Sequence, residues 1–164
     1  MSGLFITRIC PADAREMAEL LNQIIAIGGT TAFLNPLTSA EIQDWMTSAG
    51  PAGVGFVARK GDGQMVGFQW VDPHPTLGEG VAQIASFVRP GAMGIGIGSQ
   101  LFDATRDATR ALGYAWIDAT IRADNESGLT YYQSRGFEAY RTDPDARLSD
   151  GRRVGKISKR YDLV

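Results

Sequence analysis

One cysteine, Cys10, stands among 164 residues, so the chain can close no disulfide on itself. A lone thiol accords with a reducing cytoplasm. With no His or Asp motif beside it, Cys10 reads as a small buried residue and not as a nucleophile. Basic runs are missing too. Lys and Arg number 16 against 18 Asp and Glu, for a net charge of −2. Without a clustered basic face, nucleic acid is not expected as the main partner. No apolar stretch is long enough to span a bilayer. The N-terminus carries no basic segment leading into an apolar one, so neither a membrane span nor a secretion signal is expected. Repeats and low-complexity tracts are also lacking. What is present is ordinary for a globular protein, 44% apolar and 21% charged. The length suits one domain, residues 1–164, with a substantial core.

Leu4–Ile9 reads as a first strand. Pro11 suits the first turn of a helix. Along it Met17, Leu20, Leu21, Ile24 and Ile25 recur at helical spacing, and Gly28-Gly29 ends it. Thr38 or Ser39 caps a second helix that carries Ile42, Trp45 and Met46. Val54–Arg59 and Gln64–Val71 form a hairpin through Lys60–Gly63. Residues 73–80 are loop and Val81–Val88 a strand. The helix that follows shows Ile97, Leu101, Ala108 and Leu112 on one face and stops at Gly113. Tyr114–Ile121 is a buried strand by its apolar weight. Asp124 or Asn125 caps another helix, which Gly136 closes. Phe137–Tyr140 and Val154–Tyr161 make a last strand pair, joined by the polar loop Arg141–Arg153. Trp45, Trp70 and Trp116 fall in apolar patterns and belong to core or pocket walls. Helices and strands alternate, with a hairpin early, a hairpin late and a single strand–helix–strand unit in the centre. The fold class predicted is α/β (α+β), one domain with a mixed, mostly antiparallel twisted sheet flanked by helices, not a doubly wound parallel sheet.

The richest segment is Ser86-Phe-Val-Arg-Pro-Gly-Ala-Met-Gly-Ile-Gly-Ile-Gly-Ser99. A strand ends, Gly91, Gly94, Gly96 and Gly98 cluster, and Ser99 leads into a helix. Glycine lets main chain approach a ligand closely, and a helix start presents free N–H groups and partial positive charge. Together they make an anion cradle for a phosphate or pyrophosphate. An NTPase loop needs Lys then Ser/Thr after its last glycine, and none follows Gly98. A dinucleotide fingerprint needs G-x-G-x-x-G, whereas this chain reads G-x-G-x-G.

The remaining ligand is coenzyme A, and here the chain resembles the GNAT superfamily of N-acetyltransferases. Its signature R/Q-x-x-G-x-G/A, set between the fourth strand and the next helix, aligns with Met93-Gly-Ile-Gly96-Ile-Gly98. A second signature, Asn…Tyr-x-x-x-Gly-Phe, stands as Asn125…Tyr132-Gln-Ser-Arg-Gly136-Phe137. Thr30–Phe33, Pro36–Glu41 and Trp45 look like the phosphinothricin and amino-acid acetyltransferase branch. The resemblance implies acetyl-CoA as cosubstrate and no metal. It implies an amine acceptor on a small molecule or peptide, and by family habit a homodimer. Main chain of Ser86, Phe87 and Val88 would pair with the pantetheine amides in a gap where the sheet splays. Met93, Gly94, Ile95, Gly96, Ile97, Gly98 and Ser99 would hold the diphosphate, and Asn125 would bind the coenzyme through its side chain. Met93 departs from the usual Arg or Gln, so a cation is missing, for which Arg89, Arg122 or Arg135 would have to compensate.

By the same resemblance Tyr132 is the general acid, a phenol that gives its proton to the leaving thiolate. The base is harder to assign. Thr120 stands where some relatives carry Glu on the fifth strand, and the fourth strand offers only Gln83 and Ser86. Glu79 and His74, in the loop before that strand, could take a proton through water, with Glu79 the candidate. His74, between two prolines, also reads as an exposed turn residue, and Glu79 as a solvated carboxylate. Acceptor specificity is expected in the first two helices and the Arg141–Arg153 loop. A non-catalytic acyl-CoA-binding module is the alternative that Met93 and the missing base leave open.

Overall fold

The structure, a computed structural model, describes residues 3–92 and 96–164. Seven strands form one sheet: β1 (Phe5–Arg8), β2 (Val54–Arg59), β3 (Met65–Pro73), β4 (Val81–Val88), β5 (Trp116–Arg122), β6 (Glu138–Asp143) and β7 (Lys156–Asp162). Their order is β1-β2-β3-β4-β5-β7-β6. Every pairing is antiparallel except that of β4 with β5. This is the mixed, mostly antiparallel sheet that the alternation of elements predicts.

Four helices pack on it: α1 (Ala14–Ile27), α2 (Ser39–Ala49), α3 (Ile97–Ala111) and α4 (Glu126–Ser134). Because side chains alternate along a strand, each face has its own core. On one, Met17, Leu20 and Leu21 of α1 and Ile42 of α2 bury against Val57, Phe68 and Phe87. On the other, Phe102 of α3 and Tyr132 of α4 pack with Ile84, Ile117, Ile121 and Phe137. Phe137 lies 5.4 Å from Phe102 and 5.0 Å from Tyr132, centroid to centroid, so one ring joins the two helices. In β5, Ile117, Ala119 and Ile121 therefore face α3 and α4, and Asp118, Thr120 and Arg122 face the other way.

The caps follow the sequence. Thr38 Oγ1 accepts from the Glu41 N–H at 3.1 Å, and Glu41 Oε1 accepts from the Thr38 N–H at 3.3 Å. This reciprocal box fixes the start of α2 at Thr38. Three expectations need correcting. Cys10 is exposed, because β1 has ended and Cys10 opens the 3₁₀ turn Pro11–Asp13, its N–H bonded to Asp13 at 2.9 Å. Leu112 caps α3 instead of extending its apolar face and is 42% exposed. β6 runs on to Asp143 because it pairs with Lys156 beyond a register shift between Ala139 and Arg141. That leaves a shorter connecting loop than Arg141–Arg153.

The segment between α1 and α2 has no regular structure, yet it is anchored. Asn22 on α1 donates through Nδ2 to the Leu37 carbonyl at 2.9 Å and accepts the Leu37 N–H on Oδ1 at 2.8 Å. The amide thus mimics a strand partner. Asn22→Ala leaves both Leu37 groups unpaired, and an equilibrium urea titration should show a loss of about 1–3 kcal/mol.

Candidate active site

β4 and β5 stay paired for only three positions, Val81↔Trp116, Ala82↔Ile117 and Gln83↔Asp118. Beyond them β4 remains bonded to β3 as far as Val88↔Gly67. β5 remains bonded to β7 as far as Arg122↔Lys156. Ile84–Val88 and Ala119–Arg122 therefore flank a cleft, each with one main-chain edge lacking a strand partner. A cavity of about 760 Å³ occupies the cleft, walled by the α1–α2 loop, α3 and α4.

The cavity gathers most of the residues singled out in the sequence. Ser86, Phe87 and Val88 line it from β4, Gly96, Ile97, Gly98 and Ser99 from the start of α3, and Asn125 and Tyr132 from α4 and its cap. Met93, Gly94 and Ile95 lie outside the described residues. Glu79 is exposed in the loop before β4 and is not among the lining residues. Five residues, about 16 Å of strand, separate Val81 from Ser86, so Glu79 stands beyond the closed end of the cleft. His74 is not the exposed turn residue expected. Its side chain is 10% exposed, and its Nε2 faces Asp118 Oδ2 at 3.7 Å. No residue of 141–153 lines the cavity; the α1–α2 loop does, through Thr30, Thr31, Ala32 and Phe33.

Backbone geometry explains two glycines at the helix start. Gly96 is the N-cap of α3 with φ +76°, a left-handed conformation that side chains disfavour. A Cβ on Gly98 would sit 2.5 Å from Tyr131 Cε1, so Gly98 admits the Tyr131 ring. Tyr131 in turn donates its hydroxyl to the Gly98 carbonyl at 2.7 Å. The amides of Ile97, Gly98 and Ser99 precede the Gln100 N–H bond to Gly96 at 3.2 Å, so they belong to the turn whose donors an α-helix cannot satisfy internally. Arg135 reaches the same turn, its Nη1 donating to Ser99 Oγ at 2.8 Å. Of the three arginines considered as replacements for the absent signature cation, only Arg135 stands there. Arg89 bonds Met65 and Gln23. Arg122 bonds Asp124 and the Thr31 carbonyl.

Tyr132 is buried, and its hydroxyl donates to Ser86 Oγ at 2.7 Å. Gln69 of β3, fully buried, donates to the same Oγ at 3.0 Å and to the Tyr131 hydroxyl at 2.7 Å. Gln69 was not legible along the chain, because nothing marks a polar residue in a strand as facing a cavity. Burial pushes the Tyr131 phenol up to about 12, against a hydrogen bond from Gln69 that lowers it. Burial also raises Tyr132 well above the ordinary phenol range, against the Ser86 bond. Both phenols therefore hold their protons throughout neutral and mildly alkaline pH.

A profile described as the acetyltransferase (GNAT) domain matches residues 51–139. The chain belongs to the GNAT acetyltransferase family. It is 30% identical over 132 residues to an L-methionine sulfoximine/L-methionine sulfone acetyltransferase of Pseudomonas paraeruginosa, covering 77% of this chain and 76% of that one. It is 32% identical over 138 residues to the mycothiol acetyltransferase of Nocardiopsis dassonvillei, covering 80% of this chain and 39% of that enzyme. The chain spans less than half the length of the mycothiol acetyltransferases it matches, 29 to 47%. Its fold matches a phosphinothricin acetyltransferase of Sinorhizobium meliloti in complex with acetyl-CoA. The TM-score there is 0.86 and the identity 21%, over 98% of this chain and 88% of that one. Among the described residues, no helix is long and apolar enough to cross a membrane.

The raised phenols make the fold sensitive to alkali. Tyr131, Tyr132 and Tyr140 all have folded-state values above the unfolded value of about 10. Above that pH the unfolded chain loses protons that the folded chain keeps, so stability falls as pH rises. Urea midpoints should fall from about pH 10 upward, and Tyr132→Phe, which cannot ionise, should flatten that fall.

Proposed function

We propose that this protein transfers the acetyl group of acetyl-CoA to a primary amine of a small molecule or peptide by direct attack, with Tyr132 as general acid. One observation carries the reading: a buried, firmly protonated phenol lies in the cleft where β4 leaves β5, 2.7 Å from Ser86 Oγ.

The residues fit the coenzyme on three counts. β4 offers an unpaired edge from Ile84 to Val88 to the amides of a pantetheine arm. Gln69 lines the cavity, and its buried Oε1 is an acceptor with no partner among the described residues. The cavity wall includes Arg122, Arg135 and Lys156 and, among the described residues, no Asp or Glu, as a bound diphosphate requires.

Acetyl-CoA supplies the activated acyl group, a thioester whose carbonyl an amine can attack. Main-chain groups of Ser86, Phe87 and Val88 bind and align the arm, and an N–H near Phe87 or Val88 polarises the carbonyl. Gly96, Ile97, Gly98 and Ser99 present first-turn amides to the diphosphate, completed by Met93, Gly94 and Ile95, and Arg135 provides the charge that Met93 lacks. Asn125 spends its Oδ1 on the Gly128 N–H at 3.0 Å and one Nδ2 hydrogen on the Thr30 carbonyl at 3.2 Å, leaving the second hydrogen for the coenzyme. Tyr132 protonates the departing thiolate, and Ser86 and Gln69 hold its hydroxyl in place. Glu79 has no part, since it stands outside the cavity.

Calorimetric titration should show acetyl-CoA binding. Thiol release should appear with at least one acceptor in a panel of amino acids (L-methionine sulfone among them), polyamines, aminoglycosides and peptides. Binding with no thiol release from any of them would establish the non-catalytic module instead. Tyr132→Phe should cut kcat by about 100-fold and leave the KM for acetyl-CoA nearly unchanged. Arg135→Ala should weaken acetyl-CoA binding by about tenfold, the equivalent of one charged hydrogen bond.

A further inference from the structure

The face of β5 turned away from α4 carries a buried carboxylate that the reading above does not use. Asp118 is 2% exposed. Its Oδ1 accepts the Tyr140 hydroxyl of β6 at 2.6 Å. Its Oδ2 accepts the Thr120 hydroxyl at 2.8 Å and faces His74 Nε2 at 3.7 Å. His74 Nδ1 accepts the N–H groups of Thr76 and Leu77 at 3.2 and 3.1 Å. The ring's proton therefore sits on Nε2, turned toward the carboxylate. Thr120 is the one member of this cluster on the cavity wall. Its Oγ1 also lies 2.9 Å from Ser158 Oγ of β7. A carboxylate sealed from solvent thus communicates with the cavity through a single hydroxyl.

We infer that Asp118 is the terminal proton acceptor of the transfer, reached from the acceptor amine through the Thr120 hydroxyl. The inference rests on the acetyltransferase reading. It places the acid and the base on opposite faces of the splayed sheet, Tyr132 on the α4 side and Thr120 on the other. The neutral amine attacks the thioester carbonyl, its lone pair forming the N–C bond while the π pair moves to oxygen. The nitrogen, now cationic and strongly acidic, passes a proton to Thr120 Oγ1 as Thr120 passes its own to Asp118 Oδ2. The oxygen pair then reforms the carbonyl, the C–S bond breaks, and the thiolate takes the Tyr132 proton. Each atom and charge is accounted for, and no further reactant is needed. Tyr140 and His74 are positioning residues that keep the carboxylate aimed at Thr120.

Other charged groups around Asp118 are directed elsewhere. Arg160, its register partner on β7, donates to Asp162 and lies over the Trp116 ring. Gln83, its register partner on β4, donates to Asp72 Oδ1 at 2.8 Å, and Trp70 holds the other Asp72 oxygen. Tyr132 lies across the sheet.

The test is kcat and KM for thiol release from acetyl-CoA, with the amine of the panel that reacts fastest. Thr120→Val keeps the shape and removes the relay. It should lower kcat by about 10- to 100-fold with the KM for acetyl-CoA unchanged, and Thr120→Ser should restore most of the rate. Asp118→Asn should lose about 100-fold; if that variant does not fold, the Thr120 pair decides alone. Tyr140→Phe removes a donor that aims the carboxylate, so kcat should fall by about 3- to 10-fold with the KM for acetyl-CoA unchanged. A packing role for Tyr140 would not separate kcat from KM in this way. Wild-type rates in Thr120→Val, or an unchanged kcat in Tyr140→Phe, would overturn the relay while leaving the transferase reading intact. A wild-type protein that releases no thiol with any amine would overturn both.

Discussion

A main-chain group without a partner costs roughly 1–3 kcal/mol when it is sealed from water, and β4 has an edge from Ile84 to Val88 with no strand partner, the edge that β5 abandons. The fold tolerates that edge because it borders a cavity open to water and ligand. Two things keep it open. β5 follows β7 along seven register pairs, which carries it away from β4 beyond Asp118. On the α4 side, Tyr131 and Tyr132 stand where side chains from a continuous sheet would otherwise meet, their hydroxyls bonded to the start of α3 and to β4. An extended ligand bearing amides is what such an edge accepts, for the same reason that a strand would be.

The cleft also divides the chemistry. On the α3–α4 side stand protonated phenols, a helix start and Arg135, groups suited to a leaving thiolate and a diphosphate. On the other side the α1–α2 loop forms a wall. Its carbonyls at Thr30 and Thr31 are held by Asn125 and Arg122, and Asn22 pins its far end at Leu37. Asn125 thus joins the two sides: one side chain caps α4 and secures the wall opposite. A single polar residue serving both explains why an N-cap can stand inside a signature for ligand binding.

Much of this was legible along the chain, and the part that was not has a common cause. Local features were readable: the glycine cluster, the tyrosine at fixed spacing before Gly136-Phe137, and the caps at Thr38 and Asn125 each depend on a few neighbouring residues. The Asp118 cluster was not. It brings together residues from the loop before β4, from β5 and from β6, and β6 reaches β5 only across β7, a strand order that chain succession does not give. His74 misled for the same reason, since two prolines mark a turn but cannot show that the turn folds its ring onto a carboxylate. Glu79 misled by proximity in sequence to β4, when the cleft opens at that strand's other end. Cys10 shows the opposite error, an apolar preference overridden by a position just past the end of a strand.

In the proposed reading, Arg135 answers from elsewhere in the chain a departure from the sequence signature. The signature cation would precede the glycines, where this chain has Met93. Arg135 comes from the end of α4, 36 residues after Ser99 in sequence but beside it in space, at 2.8 Å. A helix start offers an anion direction and hydrogen bonds at little charge, so a guanidinium from any element that reaches the first turn can add what is missing. The α4 C-terminus is well suited to supply it. Its carbonyl end favours a cation, and Tyr131, one turn earlier on the same helix, already fixes its distance from Gly98. The tyrosine that requires Gly98 to be glycine therefore also places the arginine.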